Sequence, residues 1–318
     1  MTTTTTSPAG AFAHPALCYR SQQDYLDCLV PFIRSALGAD YPVLVAVPEP
    51  NLSALREALG DAAAAITLVD MARGGRNPGH ILGGVLGTFA AKHAPRPVRM
   101  IGEPIWAGRS ADEYAACVQH EALINRAFAG QDVAIVCPYD VTALPSNVIA
   151  DAHGTHPVLW EVGLREQDSP AFAPEAVWSR YNQPLPRNPA AVSYAINQLA
   201  DLSEARAFAA RYARRFGLGA DGIADLQMIV TELAANSVQY TPGPCTLALW
   251  RHDGHVVCEV RDPGYLDDPL AGRRPMDRDS ARGRGLFVVN AVADLVRAHI
   301  TPHGTTVQAQ LRLTDETC

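Results

Sequence analysis

Residues 221–241 read DGIADLQMIVTELAANSVQYT, and this stretch sets the architecture of the second half of the chain. Asp221 opens a helix that runs through Glu232 and Asn236 to about Gln239, where Pro242 and Gly243 stop it. Within it, Glu232 and Asn236 stand at i and i+4 and share one face. An amphipathic helix over 201–216, ending at Gly217, precedes it. Two alternating strands follow, over 246–251 and 256–261, joined by the hairpin signal His252-Asp253-Gly254. A loop rich in Gly, Pro, Arg and Asp leads to Gly283, then a helix over 284–297 and a last hairpin over 298–313 that turns at His303-Gly304. Helices followed by antiparallel strands predict an α+β two-layer sandwich.

The first half has a different rhythm. A helix over 21–37 starts at the capping pair Ser21 and Asp24 and stops at Gly38. YPVLVAV at 41–47 is a continuous apolar run, as in a strand buried on both faces. A short helix over 51–59 and a strand over 66–70 come next. Asn77-Pro78 then opens a helix reaching residue 94, followed by a strand over 98–102. Ser110 and Glu113 cap a long helix to Phe128, and a strand over 133–137 follows. This predicts an α/β domain with a mainly parallel sheet and helices on both faces. Six prolines between 157 and 189 break the periodicity. The expected division is therefore 13–156, a proline-rich linker over 157–190, and 191–318.

Composition narrows the function classes. The 318 residues are 48% hydrophobic and 19% charged, enough for packed cores and too apolar for global disorder. Net charge is −7, from −5 over 1–190 (13 basic, 18 acidic) and −2 over 191–318 (13 basic, 15 acidic). Neither half has the basic excess of a nucleic-acid binder. No apolar run approaches the ~18 residues of a membrane span, and the Thr-rich start lacks the pattern of a secretory leader. Seven cysteines without a CxxC pair fit a reduced, cytoplasmic setting.

Four features of the second half offer chemistry. Glu232 and Asn236 place a carboxylate and an amide side by side. Asp262-Pro263-Gly264 brings an acid off a strand into a tight turn. Gly283-Arg284-Gly285 puts bare amides where a loop enters a helix, suited to phosphate. Gly304-Thr305-Thr306 carries hydroxyls into the last strand. Singly, each is also ordinary helix-face or turn chemistry.

In this order and spacing, residues 195–313 resemble the GHKL ATPase domain, and within it the bacterial anti-sigma-factor branch of serine/threonine kinases. Glu232 and Asn236 match the N box, Asp262 and Gly264 the first glycine box, Gly283 and Gly285 the second, and Gly304-Thr305 the closing Gly-Thr. The resemblance implies ATP and Mg²⁺ as cofactors. Asn236 would supply an oxygen to Mg²⁺, Asp262 would accept the adenine amino group, and the glycines would admit the phosphates, with Arg282 or Arg284 adding positive charge. Thr305 would complete the nucleotide site, and Glu232 would orient or deprotonate the attacking hydroxyl. The first glycine box usually reads DxGxG; here Leu266 takes the second glycine position. The implied partners are a sigma factor and a STAS-type antagonist phosphorylated on serine, and a homodimer is left open. A catalytically silent, nucleotide-gated binding module and a histidine kinase using His120 stand as alternatives.

Residues 13–156 resemble the MEDS sensory domain, on His14-Pro15, Tyr19-Arg20-Ser21, PVLVAVP over 42–48, Asn77-Pro78, His120 to Asn125, and Cys137-Pro138-Tyr139-Asp140. A small-molecule ligand is implied. Asp70, Glu103 and Asp140 fall at strand ends, where open parallel sheets bind ligands, and His14 and His120 join them as candidates. The pairs His153/His156 and His252/His255 lack further ligands nearby in the chain, so zinc is not expected at either.

Overall fold

The computed structural model describes residues 12–161, 166–276 and 283–313. The chain forms two compact units. One holds residues up to Arg76 together with Val85–Tyr181; the other holds Asn77–Gly84 with Asn182 onward.

In the first unit the elements are β1 (Pro15–Tyr19), α1 (Gln22–Gly38), β2 (Val43–Val47), α2 (Asn51–Leu59), β3 (Thr67–Asp70) and the short α3 (Met71–Gly74). The chain then passes through α4 (Pro78–His80), which packs in the second unit, and a π-helical turn Ile81–Gly87. It continues with α5 (Thr88–His93), β4 (Val98–Gly102), α6 (Ala111–Ala127), β5 (Val133–Asp140), α7 (Ser146–Thr155), β6 (Val158–Glu161), β7 (Gln167–Asp168) and α8 (Pro174–Tyr181). The sheet order is β3-β2-β4-β5-β1-β6-β7, with only β7 antiparallel to its neighbour. All five residues of β2 are buried, as its unbroken apolar run predicts. Ser110 and Glu113 form the full capping box at α6.

Two expectations change here. The sheet gains β1, an interior strand between β5 and β6, whose five residues are all buried. The stretch 157–190 is not an irregular linker throughout. β6 pairs with β1 along Pro15 to Cys18, and α8 is tied to the first unit by Asp151, which accepts from Arg180 at 3.0 Å and also from Tyr114 and Tyr181. The prolines interrupt short elements rather than replace them, and the units part at Tyr181 and Asn182.

The second unit contains β8 (Val192–Ile196), α9 (Leu202–Phe216), α10 (Ala220–Tyr240), β9 (Cys245–His252), β10 (His255–Asp262), α11 (Arg284–Val292), β11 (Leu295–Thr301) and β12 (Gly304–Arg312). Its antiparallel sheet runs β11-β12-β10-β9-β8, and the helices share one core with it. Leu226, Ile229, Val230 and Leu233 of α10 are buried against Leu247, Leu249, Val260 and Ala309 of the strands. Each such side chain contributes about 1.5–3 kcal/mol on burial. Gly217 ends α9 in the left-handed conformation, φ 88°. The last helix is shorter than expected: Ala293 is already extended, and Leu295 and Val296 enter β11 because they pair with Gln310 and Ala309. β8 was not foreseen either.

Asn77 explains why a segment from the first half packs here. Its Nδ2 donates to the Asn290 carbonyl at 2.8 Å, while its Oδ1 accepts from Gly79 N at 3.0 Å and Val296 N at 3.2 Å. The N-cap read from sequence is thus also a clamp on α11 and β11.

Candidate functional site

The core face of α10 leaves Glu232 and Asn236 half-buried at the rim of a cavity of about 1130 Å³. One position on, Ser237 turns toward the sheet, and its Oγ donates to Asp262 Oδ2 at 2.6 Å. Asp262 ends β10, and its Oδ1 accepts from Gly264 N at 2.8 Å. Both carboxylate oxygens are therefore held by donors, and each keeps a second lone pair. Thr305 lies opposite Asp262 in the β10–β12 register and donates from Oγ1 to the Gly264 carbonyl at 2.8 Å.

Gly283 takes φ 80°, a left-handed conformation that suits glycine, and leads directly into α11. Gly283, as the N-cap, has no side chain to cap this helix itself. Gly285 is needed for a different reason. A Cβ there would lie 2.6 Å from Glu232 Oε2 and 3.0 Å from Asn236 Nδ2. Gly283-Arg284-Gly285 thus approaches Glu232 and Asn236 too closely for a side chain at 285, which brings the start of α11 beside a carboxylate and a side-chain amide. That arrangement suits a nucleotide phosphate and a hard cation with oxygen ligands.

Of the residues singled out in this half, Glu232, Asn236, Asp262, Gly264, Gly283, Arg284, Gly285 and Thr305 all line the one cavity. Arg282 lies outside the described residues. Leu266 also lines the cavity, beside Tyr265 and Met276, which are 59% and 55% exposed. The reading from sequence missed Ser237, Tyr265 and Met276. Only Ser237 had a signal, as a hydroxyl following the N-box amide.

Asp70, Glu103 and Asp140 stand at the carboxyl ends of the parallel strands β3, β4 and β5, and each is held by its own partners. Asp70 caps α3 through Ala72 N at 2.9 Å, and Asp140 binds Thr142 N and Ala143 N in its own turn. Glu103 is buried, accepting from Asn51 at 3.0 Å, Tyr25 at 3.2 Å and Tyr19 at 3.4 Å. Burial pushes its carboxyl up to about 7 against these donors, with a further upward push from the Asp140 charge. His14 instead contacts Asn125 and Glu121. His120 is 1% exposed within α6, a position closed to a nucleotide's terminal phosphate. No helix among the described residues is long and apolar enough to cross a membrane.

Each of two segments matches a family model. Residues 13–157 match the family described as the MEthanogen/methylotroph, DcmR Sensory (MEDS) domain, and residues 196–311 match the histidine kinase-like ATPase domain. No curated protein matches the chain. Among solved structures it is similar to the RsbU and RsbW domains of Rv1364c from Mycobacterium tuberculosis, with 20% identity over 41% of this chain and 33% of that one, TM-score 0.31. It is also similar to the SiaB-SiaC complex from Pseudomonas aeruginosa, with 16% identity over 37% of this chain and 88% of that one, TM-score 0.30. The chain thus spans about a third of the length of the first of these structures.

Proposed function

We propose that this chain, which joins a MEDS sensory domain to a histidine kinase-like ATPase domain, is an anti-sigma regulatory factor that phosphorylates a STAS-type antagonist on serine or threonine. The observation that carries the reading is the convergence of Glu232, Asn236, Asp262, Gly264, Gly283, Gly285 and Thr305 on one cavity. Asp262 is the acceptor for the adenine amino group, a charge-assisted bond that guanine cannot make. The amides around Gly283 and Gly285 face the phosphates. Asn236 would offer an oxygen to Mg²⁺, and the ion when bound would neutralise phosphate charge. Glu232 orients the incoming hydroxyl and takes its proton as the serine oxygen bonds the γ-phosphorus and the bond to the β–γ bridging oxygen breaks, releasing ADP.

Asn77–Gly84 supports control by the sensory domain, because a segment flanked on both sides by the first unit packs against α11 and β11. Leu266 favours a second reading, a silent nucleotide-gated module, since it puts a side chain where the usual glycine leaves backbone free to approach the nucleotide. Incubation with labelled ATP and the cognate antagonist separates the two: label on antagonist serine or threonine supports the kinase, and nucleotide-dependent partner binding without label supports the silent module.

A further inference from the structure

Away from the nucleotide cavity, four buried side chains of the first unit converge. His14 immediately precedes β1, Glu121 lies on α6, Cys137 on β5, and His156 ends α7. None is more than 1% exposed, and one ligand-type atom from each lies within 4.8 Å of the others.

The orientation of the rings shows what this cluster lacks. His14 Nδ1 is 3.2 Å from Asn125 Oδ1, and Asn125 is fixed that way round because its Nδ2 donates to the Thr155 carbonyl at 2.7 Å. His156 Nδ1 is 2.8 Å from the Ala152 carbonyl. The amide and peptide oxygens only accept, and Thr155 Oγ1, 3.0 Å from His156 Nδ1, donates its proton to the Asp151 carbonyl at 3.0 Å, so both Nδ1 atoms carry the proton and each neutral ring presents a lone pair at Nε2. Both Nε2 atoms point at the same carboxylate oxygen, Glu121 Oε2, at 3.2 Å each. His14 Nε2 is also 3.4 Å from Cys137 Sγ. Among the described residues, neither Glu121 oxygen nor His156 Nε2 has a hydrogen-bond partner. Lone pairs facing a carboxylate repel, and orphaned buried atoms of this kind are costly. Protonating both rings answers this poorly, because two imidazolium ions with centroids 4.0 Å apart would share one carboxylate. A divalent cation at the point of convergence satisfies all four groups.

We propose that His14, Glu121, Cys137 and His156 bind a divalent transition-metal ion of the zinc class. Zinc ligands lie about 2.0–2.3 Å from the ion, so tetrahedral neighbours are about 3.3–3.6 Å apart, close to the 3.2–3.4 Å contacts seen here. Two imidazoles and a thiolate select zinc-like ions over Mg²⁺ or Ca²⁺. Four protein ligands close the coordination shell, so the ion joins β1, β5, α6 and the end of α7. Asn125 and the Ala152 carbonyl are the outer partners that hold the two rings in register. The histidine spacing was a poor guide: His153 is not part of the cluster, and the partners of His156 come from 14, 121 and 137.

The test uses the full chain, expressed in medium supplemented with Zn²⁺ or Co²⁺ and freed of loose metal. The expected result is one equivalent of metal per chain by mass spectrometry. The cobalt form should show tetrahedral d–d bands and a thiolate charge-transfer band, the latter lost in Cys137→Ala. Asn125→Ala, which keeps all four ligands, should weaken metal affinity by about 10–100-fold in competition with a chromophoric chelator. X-ray absorption on the wild-type zinc form provides a check independent of any variant, with one sulfur and three nitrogen or oxygen neighbours expected. Substoichiometric metal, a charge-transfer band that persists in Cys137→Ala, or a shell with no sulfur or several would overturn the proposal.

Discussion

Asn77 Nδ2 donates to the backbone carbonyl of Asn290 at 2.8 Å, across 213 positions of sequence, and so places a piece of the first half inside the second unit. Asn290 in turn donates from Nδ2 to the Gly272 carbonyl at 3.1 Å, in the loop that borders the large cavity of the second unit. The path from Asn77 to the cavity wall is two side chains long.

Asn77→Ala removes one donor and an acceptor used twice, all buried, and should destabilise the second unit by about 1–3 kcal/mol. Asn77→Asp keeps the oxygen that accepts from Gly79 and Val296 but sets a buried carboxylate oxygen against the Asn290 carbonyl, so it should destabilise through the α11 contact alone. Urea melts of both variants read the difference. A midpoint unchanged in Asn77→Ala would show that the clamp carries no stability.

Gly285→Ala tests the meeting of the two motifs. The added Cβ displaces the flexible end of Glu232 rather than backbone, so the fold should survive with little change in thermal midpoint. Phosphoryl transfer should fall by about 10²-fold, the usual cost of a misplaced reacting group. Full transfer by this variant would mean that Glu232 has no fixed role.

Under the proposed function, in which the Glu232 carboxylate acts on the nucleophile, Glu232→Ala should reduce transfer by about 10²–10⁴-fold while ATP still binds. Asn236→Ala should impair binding and transfer together, since it removes the oxygen offered to Mg²⁺. Equal transfer by wild type and Glu232→Ala, with antagonist binding confirmed, would favour the silent module.

Glu103 should make stability depend on pH in a stated direction. Its folded value of about 7 lies above the ordinary 4.5, so between these limits the folded chain binds more protons than the unfolded one. Stability from this group is complete below about 4.5, falls as pH rises toward 7, and levels off above, by on the order of 3 kcal/mol. Glu103→Gln should lack this component. The comparison is made as the difference between the two melting curves across that range, and parallel curves would contradict the assignment.

Much of this architecture is legible in the sequence where local rules act alone. The YPVLVAV run, the Ser110 cap and the Asn77-Pro78 start needed no long-range information. The N-box helix carried its two functional residues on one face for the same reason. β1 escaped because five residues beside His14 hold no periodicity, and its burial comes from β5 and β6 on either side. The prolines between 157 and 189 hid β6 and α8, whose anchor, Asp151, lies in α7. Asp70 and Asp140 are turn caps, as their chemistry allowed, and only Glu103 of that trio is buried. Ser237 shows the same limit at the nucleotide site: its partner Asp262 is 25 positions away.

Isothermal titration of ATP with Mg²⁺ into the full chain, wild type beside Asp262→Asn, addresses the central claim directly. Asp262 is the charged acceptor at the end of β10, held by Ser237 and Gly264, and a hydrogen bond to a charged group contributes about 1.5–3 kcal/mol. The account predicts one ATP per wild-type chain, no comparable binding of GTP, and affinity lower by about 10–100-fold in the variant. Absence of binding heat at millimolar ATP, together with an unshifted thermal midpoint, would contradict it.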